Sequence, residues 1–501
     1  MDMAESYKSL SNDELKKRGS FYSILSNASW LAGTRLAGDL ASLLFFIVLS
    51  RHFGPGGIGL YVYGFAIAGL AYASVNLGLE DYAIRESSRL SLEAGRILIG
   101  RLIGSQIGIA VIMLFGLLGF LFLSGATVET AKIILCLLTY QLSLAFARTL
   151  FVPAFSQQSM AGPAVTELAC RVGAIFIAIL LVVCFHSSLP KALIPFIIGG
   201  LVLFVLAAIS AKRYNGMIII SISLHDATCI IKSAWPFAAS VILFYLYARV
   251  DLIMLSFLRG DEATGIYATS LKFLEVGVMP FILLGLAAYP VLSKCYNQDD
   301  NSFSEAADKL LRTSLILGGL LAWAMIFLGP LVLVPLLGEE FAAAVSVTKI
   351  MAVLGLIMAI DMTMVRLLLA THLQVKRVRF QFYGTILNIL LNSFLIPLSG
   401  VLGAAVALIL SQVAMNVLYF RALQRKTPIT KTLAKTLRSF LAPLSAALLV
   451  GVLLAWLSSN EWLSAAATLV TFFSVVIGMG FMPVRKIKKR SYLVDSQIFR
   501  L

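Results

Sequence analysis

The sequence predicts an all-α protein that crosses a membrane many times, and three observations support that prediction. Hydrophobic residues make up 59% of the 501 residues, charged residues only 13%, and the mean hydropathy is +0.93. This is more apolar side chain than a water-exposed surface could cover. Apolar runs of roughly 20 residues, the length that spans a bilayer as a helix, recur along almost the whole chain. Lys and Arg are concentrated in alternate connections between these runs.

Each apolar run is predicted to be a helix because backbone polar groups find no water in hydrocarbon. Continuous apolar runs also do not fit the alternating pattern of barrel strands. The hydrophilic start of the chain, 1–19, is predicted to be a cytoplasmic N-terminus. The spans that follow it are predicted, in order, at 22–49, 58–80, 100–123, 131–153, 163–184 and 192–210.

The second half of the chain continues in the same way after a short polar interruption. Residues 216–224 are too short to span and follow Lys212 and Arg213, so this stretch is expected on the cytoplasmic interface. The total comes to about fourteen spans. Those of the second half are predicted at 234–257, 265–292, 313–336, 346–370, 380–397, 401–420, 438–457 and 462–482.

An internal repeat indicates that the chain is built from two related halves. The span that contains Trp30 leads through an Arg and a Gly-rich turn to 59–61 (Gly-Leu-Tyr), and the span that contains Trp235 leads similarly to 265–267 (Gly-Ile-Tyr). Such repeats are typical of transporters. We therefore expect an N-lobe at 20–211, an interfacial linker at 212–232, a pseudo-symmetric C-lobe at 233–421, a loop with two extra helices at 422–482, and a basic cytoplasmic C-terminus at 483–501.

The formal net charge of +15 is interpreted mainly as a topology signal. Cytoplasmic connections retain Lys and Arg, and a cytoplasmic N-terminus leaves few of them outside. This predicts a multi-pass membrane protein with both termini cytoplasmic, and no nucleic-acid partner is expected. The outer cations are Arg51, Lys132, Lys191, Arg259 and Lys349.

Eleven charged residues remain at predicted membrane depth. Each would cost about 2.5 to 3.5 kcal/mol facing lipid, so they should face a wet cavity or one another. The six cations are expected to line a central cavity between the lobes and bind a phosphate or pyrophosphate head. The five acids are candidates for ion coupling. The cations are Arg35, Arg148, Arg171, Arg249, Lys272 and Arg366, and the acids are Asp39, Glu167, Asp251, Glu275 and Asp361.

A purely structural interpretation of these charges is pairing within one helix. Three cation–acid pairs have the required spacing: Arg35 with Asp39, Glu167 with Arg171, and Lys272 with Glu275. This local neutralisation cannot account for three of the arginines, which are therefore the strongest candidates for substrate contacts. They are Arg148, Arg249 and Arg366.

Other motifs point away from enzymatic or metal chemistry. Gly54, Gly56 and Gly59 match GxGxxG, and Glu80 follows at the distance of a dinucleotide site, but a membrane span rather than a strand precedes them, so an outer turn is expected. No ATP-binding phosphate loop occurs, the five cysteines lack metal or disulfide spacing, and the four histidines fall in separate connections. We expect no cofactor and no metal, with H⁺ or Na⁺ as the coupling ion.

Three passages resemble the polysaccharide transporter (O-antigen flippase) family of the multidrug/oligosaccharidyl-lipid/polysaccharide exporter superfamily. A run at 336–344 (LLGEEFAAA) is also similar to the family's outer turn before the tenth helix. The three passages are the opening helix and turn at 30–64 (Trp30 through LSRHFGPGGIGLYVYG), 249–251 (Arg-Val-Asp) with 254–268 (MLSFLRGDEATGIYA), and 388–405 (NILLNSFLIPLSGVLGAA).

This resemblance implies a two-lobe, V-shaped carrier with a cation-lined lumen. It would move an undecaprenyl-pyrophosphate-linked oligosaccharide to the periplasmic leaflet by alternating access, driven by an ion gradient or the membrane potential. Polysaccharide polymerase and chain-length machinery are the implied partners. A drug or cation antiporter of the same superfamily is the main alternative, favoured by the five acids. A membrane glycan polymerase or ligase is a further alternative, but it should have a sizeable periplasmic loop, and the sequence has none.

Overall fold

A computed structural model describes residues 3–87, 91–157, 159–216, 218–221, 223–427, 429–457 and 461–478. Within these residues the chain is helical without strands, which confirms the all-α class. The helices are α1 (Met3–Asn76), α2 (Leu79–Ser87), α3 (Leu92–Leu123), α4 (Val128–Ser156), α5 (Ala161–Val183), α6 (Leu189–Ala192), α7 (Ile194–Asn215), α8 (Leu224–Arg259), α9 (Asp261–Tyr296), α10 (Asp300–Trp323), α11 (Gly329–Leu337), α12 (Ala342–Ala370), α13 (Gln374–Gln424), α14 (Thr430–Leu457) and α15 (Glu461–Gly478).

Two glycines break the longest helices. Gly54 interrupts α1 with φ 63°, and Gly400 interrupts α13 with φ 58°. A positive φ of this kind is adopted readily by glycine and rarely by other residues. The breaks divide α1 and α13 into two arms each. Gly54 belongs to the GxGxxG match, so in the described chain that motif opens a turn between two helical arms.

The helices agree with the predicted spans wherever the structure describes the chain. Each span falls on a helix or a helix arm, and α10 and α11 form one continuous span through the π-helical turn Ala324–Leu328. Residues 479–482 of the last prediction lie outside the described residues. Ten helices of the described part, with bent helices taken whole, are long and apolar enough to cross a membrane. The number fourteen stays a prediction.

The described residues pack as two compact units. Unit 1 contains the chain up to residue 52 and 63–246, and unit 2 contains 53–62 and 247–478. Residues 53–62 therefore pack with the second half of the chain although they belong to the first half in sequence. The lobe boundaries proposed from the repeat, 20–211 and 233–421, stay a prediction.

Gly59 and Gly265, the equivalent glycines of the repeat, explain this placement because they meet in unit 2. A Cβ added to Gly59 would overlap the carbonyl of Asp261 and lie 2.8 Å from the nitrogen of Gly265, and a Cβ on Gly265 would overlap the carbonyl of Pro55. Two helix ends approach this closely only where side chains are absent, as at small-residue contacts between membrane helices.

The remaining passages of the family resemblance converge on the same part of unit 2. Arg259 donates from Nε to the carbonyl of Ile396 at 3.2 Å and from Nη2 to the carbonyl of Pro397. These are terminal carbonyls of the first arm of α13, where a cation is favourable. Glu340 lies against Gly54. The residues that identify the family thus form a packing centre of unit 2.

Unit 1 has its own core and carries the linker. The first residues of the linker cross α3 at Gly100, where Ser221 N–H donates to the Gly100 carbonyl at 3.3 Å. Arg96 Nε donates to the carbonyl of Asn215 at 2.7 Å. A side chain at position 100 would collide with the backbone of Ile219. The glycine thus allows this short non-helical stretch to lie directly on α3.

Candidate functional site

Arg148, which has no acid at helix spacing, joins three helices of unit 1. Its Nη2 lies 2.9 Å from Oε1 of Glu167 on α5, and its Nη1 lies 3.5 Å from Oε2 of Glu80 on α2. The exposed fraction of these side chains is 21% for Glu80, 28% for Glu167 and 35% for Arg148. Such values are too high for a closed core, so the cluster lies on an accessible surface of unit 1.

Arg171 forms a second cluster in unit 1. Its Nη2 lies 3.2 Å from Oδ1 of Asp39 and donates to the hydroxyl of Ser42 at 2.7 Å. Gly38 makes room for the guanidinium, because a Cβ there would lie 2.9 Å from Nη1 of Arg171. Arg35 is exposed and forms no ion pair with a described residue.

These contacts differ from the helix-local pairing considered for unit 1. Asp39 pairs with Arg171 rather than with Arg35, and Glu167 pairs with Arg148 rather than with Arg171. Spacing of four residues places two side chains on one helical face, but neighbouring helices offer arginines that reach the same acids. In both cases the contact between helices replaces the contact within one helix.

Unit 2 contains a charged triad in which one acid contacts two cations, the reverse of the Arg148 cluster. Glu275 of α9 accepts from Arg249 of α8 at 3.0 Å and from Lys272 at 3.3 Å. The pairing of Lys272 with Glu275 at helix spacing is therefore confirmed, and Arg249 finds an acid on another helix. One acid here holds two cations, so the triad carries a formal charge of +1, whereas the Arg148 cluster carries −1.

Asp251 is buried and paired with neutral groups. It is 1% exposed. Its Oδ1 accepts from the backbone N–H of Leu252 at 2.9 Å, and its Oδ2 accepts from the hydroxyl of Tyr267. No cation of the described chain lies within ion-pair distance of this carboxylate, although Arg249 is only two residues away.

Asp361 is the second buried acid of unit 2, and it is 8% exposed. Gln412 of α13 lies beside its carboxylate, and the amide oxygen of Gln412 accepts from the hydroxyl of Tyr247 at 2.7 Å. One carboxylate oxygen of Asp361, Oδ1, has no hydrogen-bond partner among the described residues. An orphaned buried oxygen is uncommon because it loses its hydration without compensation.

Arg366 is the third arginine that local pairing leaves unexplained. It forms no ion pair with a described carboxylate, and its buried Nε has no partner. Thus Arg148 and Arg249 pair with acids on other helices, whereas Arg366 has no such partner in the part of the chain that the structure describes.

Sequence reasoning missed several members of these clusters, chiefly Glu80, Ser42, Tyr267 and Gln412. The sequence pattern singles out Glu80 only for its distance from the glycine motif. With Glu80 included, the charges at membrane depth are six cations and six acids. No local pattern indicates these residues, since their partners lie on other helices. An acid at the end of a predicted span, such as Glu80, is the one signal that was available.

Metal coordination finds no support in the described residues. No group of three or more His, Cys, Asp or Glu side chains there could hold a metal ion. His52 and His186, expected to lie in separate connections, stack in unit 1 with ring centroids 5.8 Å apart.

Known families match this chain along most of its length. The family described as "Polysaccharide biosynthesis protein" matches residues 24–296, more than half of the chain, and the family described as "MatE" matches residues 236–398. Each matched range contains residues on which the resemblance to the polysaccharide transporter family was based.

Two curated relatives carry transporter names. A "Putative O-antigen transporter" of Shigella dysenteriae is 22% identical over 241 residues, which cover 48% of this chain and 60% of that protein. A "Probable flippase AglR" of Haloferax volcanii is 27% identical over 185 residues, which cover 36% of this chain and 38% of that protein. The chain therefore spans less than two thirds of the length of either relative.

Two solved structures share the fold. "Lipid II flippase MurJ, inward closed conformation" has a TM-score of 0.71 at 15% identity and covers 91% of this chain and 99% of its own. An inward-facing multidrug resistance MATE family transporter of the MOP superfamily has a TM-score of 0.60 at 14% identity and covers 79% of this chain and 95% of its own. At such identities the likeness concerns the fold alone.

Proposed function

Because this chain belongs to the polysaccharide biosynthesis protein family, we propose that it is a flippase for an undecaprenyl-pyrophosphate-linked oligosaccharide. It would carry the repeat unit of O-antigen or another surface polysaccharide from the cytoplasmic to the periplasmic leaflet of the bacterial inner membrane, with both termini cytoplasmic. A polysaccharide polymerase and its chain-length machinery would take up the product. The name of the Shigella dysenteriae relative supports an O-antigen substrate, and the name of the Haloferax volcanii relative supports a flippase.

The observation that carries the proposal is the partial exposure of paired intramembrane cations. Between 26% and 35% of the side chains of Lys272, Arg249, Arg171 and Arg148 is accessible although each cation contacts an acid. Charges exposed to lipid are strongly unfavourable, so accessible charges in the spanning helices of each unit favour a hydrated surface on that unit. The guanidinium groups of unit 1, and the guanidinium and ammonium groups of unit 2, suit a pyrophosphate head and sugar hydroxyls.

The acid partners would keep these cations from binding the substrate permanently. An arginine already paired to a carboxylate offers only its remaining N–H donors to a phosphate. A carrier needs this moderate affinity because it must release its substrate on the other side. Arg35, which is exposed and has no ion-pair partner among the described residues, would also be available to the anionic head.

Ion coupling is proposed for Asp251 and Asp361 among the five candidate acids. The others, Asp39, Glu167 and Glu275, contact arginine or lysine and so have their charge balanced. Asp251 and Asp361 are buried and form no ion pair with a described cation, so binding a proton or a sodium ion would reduce the cost of a buried charge. Exchange of that cation could then drive the conformational cycle of alternating access.

A drug or cation antiporter is the second candidate function. The match of residues 236–398 to the MatE family favours it, as do the two buried acids of unit 2. An organic cation would be expected to bind to these acids rather than to the arginines.

Complementation separates the two candidates. The full chain is produced in a strain that lacks its O-antigen flippase, and surface polysaccharide is measured beside ethidium efflux in the same cells. A flippase restores polysaccharide and leaves ethidium retention unchanged. In parallel, proteoliposomes with a fluorescent lipid-linked oligosaccharide measure transfer between leaflets. Ethidium efflux without transfer of the lipid would overturn the proposal and favour the antiporter.

A further inference from the structure

We infer that Arg366 and Arg377 form an anion-binding site in unit 2 that takes the pyrophosphate head of the lipid substrate. The inference rests on the proposed flippase function and names a position for the head. The site lies beside the turn between α12 and α13, at residues 371–373, which the sequence predicts to be cytoplasmic. A head bound there would be at the side where the substrate is made.

The two arginines come together through this turn. Arg366 lies in the last two turns of α12, and Arg377 lies in the first turn of α13. The chain reverses between them through His372, which has a positive φ of 58°. The helices α12 and α13 pack against each other, which brings the two arginines to the same end of this helix pair. Arg377 and Tyr289 of α9 both act on Arg366 electrostatically.

Both arginines have unused hydrogen-bonding capacity. The Nε atoms of Arg366 and Arg377 are buried and have no partner among the described residues. Neither guanidinium forms an ion pair with a described carboxylate, and Asp361 is the acid that acts on Arg377 from beyond that distance. Tyr419 lies beside Arg377. Two neighbouring cations without a paired acid repel each other, and an anion bound between them would relieve that repulsion.

Gly285 of α9 provides the space for this arrangement. A Cβ at this position would lie 2.7 Å from Nε of Arg366 and 3.3 Å from its Cγ. The side chain of Arg366 therefore runs directly over the backbone of α9, and any residue larger than glycine at position 285 would displace it.

The chemistry of the site fits a phosphate or pyrophosphate group. Each guanidinium presents a planar fork of N–H donors that matches two phosphate oxygens, and two adjacent forks can bind both phosphates of a pyrophosphate. Both residues are partly exposed rather than buried. The same chemistry would accept the phosphate of an anionic phospholipid, and the experiment must separate the two sources.

Binding is tested on the full chain in phosphatidylcholine nanodiscs, with farnesyl pyrophosphate as the probe and farnesol as the probe without phosphate. We expect farnesyl pyrophosphate to bind and farnesol to bind far more weakly. Arg366→Ala and Arg377→Ala should each weaken binding of the pyrophosphate by about tenfold or more, with Arg→Lys variants intermediate because lysine keeps the charge without the fork. Gly285→Ala should weaken binding while both arginines are still present.

Arg379→Ala is the matched control, since Arg379 is an exposed cation two residues after Arg377. It should bind as the unmodified chain does. Equal binding by Arg366→Ala, Arg377→Ala and the unmodified chain, in protein of normal thermal stability, would overturn the site. Gly285→Ala gives a second test because it removes no charge.

Nanodiscs with added phosphatidylglycerol show whether the site prefers a pyrophosphate head or the phosphate of an anionic phospholipid. If phosphatidylglycerol displaces farnesyl pyrophosphate from the unmodified chain, the anion site stands and the pyrophosphate assignment is wrong. Leaflet transfer of a lipid-linked oligosaccharide is measured separately. If the unmodified chain transfers the lipid-linked oligosaccharide and the arginine variants bind farnesyl pyrophosphate normally, the site is refuted and the flippase function is not. If binding of farnesyl pyrophosphate depends on the arginines but the unmodified chain transfers no lipid, the flippase function is refuted and the site is not.

Discussion

Gly59 and Gly265 occupy equivalent positions in the two sequence repeats and lie against each other in unit 2. Each approaches the backbone of the other's helix so closely that a Cβ would overlap a carbonyl, of Asp261 in one case and of Pro55 in the other. The repeat that reveals the two halves of the chain is thus also the contact between their corresponding helices. Residues 53–62 belong to unit 2 through this contact.

Gly59→Ala should destabilise the protein by about 1 to 3 kcal/mol, because a new methyl group would force two helices apart. Gly56→Ala is the matched control, since open space surrounds a Cβ at Gly56. It should be neutral or slightly stabilising, as alanine favours a helix over glycine by about 1 kcal/mol. Thermal unfolding in detergent measures both variants. Equal unfolding temperatures would contradict the contact.

Arg148→Ala should reduce stability and transport, because it leaves Glu80 and Glu167 close together without their shared cation. Partial exposure of the cluster limits the effect to about 1 to 3 kcal/mol, below that of a fully buried pair. Glu167→Gln should recover part of the loss when combined with Arg148→Ala. A double-mutant cycle on thermal unfolding measures this coupling.

The control for this cycle is the exposed pair of Arg85 and Glu86, in which Arg85 is 51% exposed. Arg85→Ala should change stability by no more than about 1 kcal/mol. Additive effects of Arg148→Ala and Glu167→Gln would show that the two residues do not interact.

Glu275→Gln should impair the protein more than Lys272→Ala does. Removal of the acid leaves Arg249 and Lys272 adjacent and unpaired, whereas removal of Lys272 still leaves Glu275 paired with Arg249 at 3.0 Å. Folded yield and leaflet transfer of the lipid-linked oligosaccharide are compared for the two variants. The opposite order would mean that Lys272, rather than the balance of the triad, is the essential group.

Asp251→Asn and Asp361→Asn should uncouple transport from its driving ion if these acids exchange it. Flux in proteoliposomes is measured under an imposed proton gradient and, separately, under a sodium gradient. The unmodified chain should respond to one gradient, and the effective variant should respond to neither while it still equilibrates substrate. Asp39→Asn serves as the comparison, because Asp39 is paired with Arg171. A gradient response that persists in both variants would reject the proposed coupling.

Much of the fold could be predicted because hydrocarbon imposes helices of a characteristic length on apolar runs. The position of the first helix break followed from Gly54 and its neighbours. The charged clusters were only partly predictable. Helix spacing correctly paired Lys272 with Glu275, but it could not tell that Arg171 would reach across to Asp39, or that Arg148 would join acids on two other helices.

The sequence by itself determined the helical class, the placement of the spans and the two-fold repeat, because hydropathy and turn residues act locally along the chain. Only the tertiary structure decided which charges meet, since ion pairs depend on which helices lie side by side. That packing leaves Arg366 without an acid partner among the described residues and places Arg377 beside it across the turn. It also explains why one glycine of the repeat must face the other, a contact that no spacing along the chain indicates.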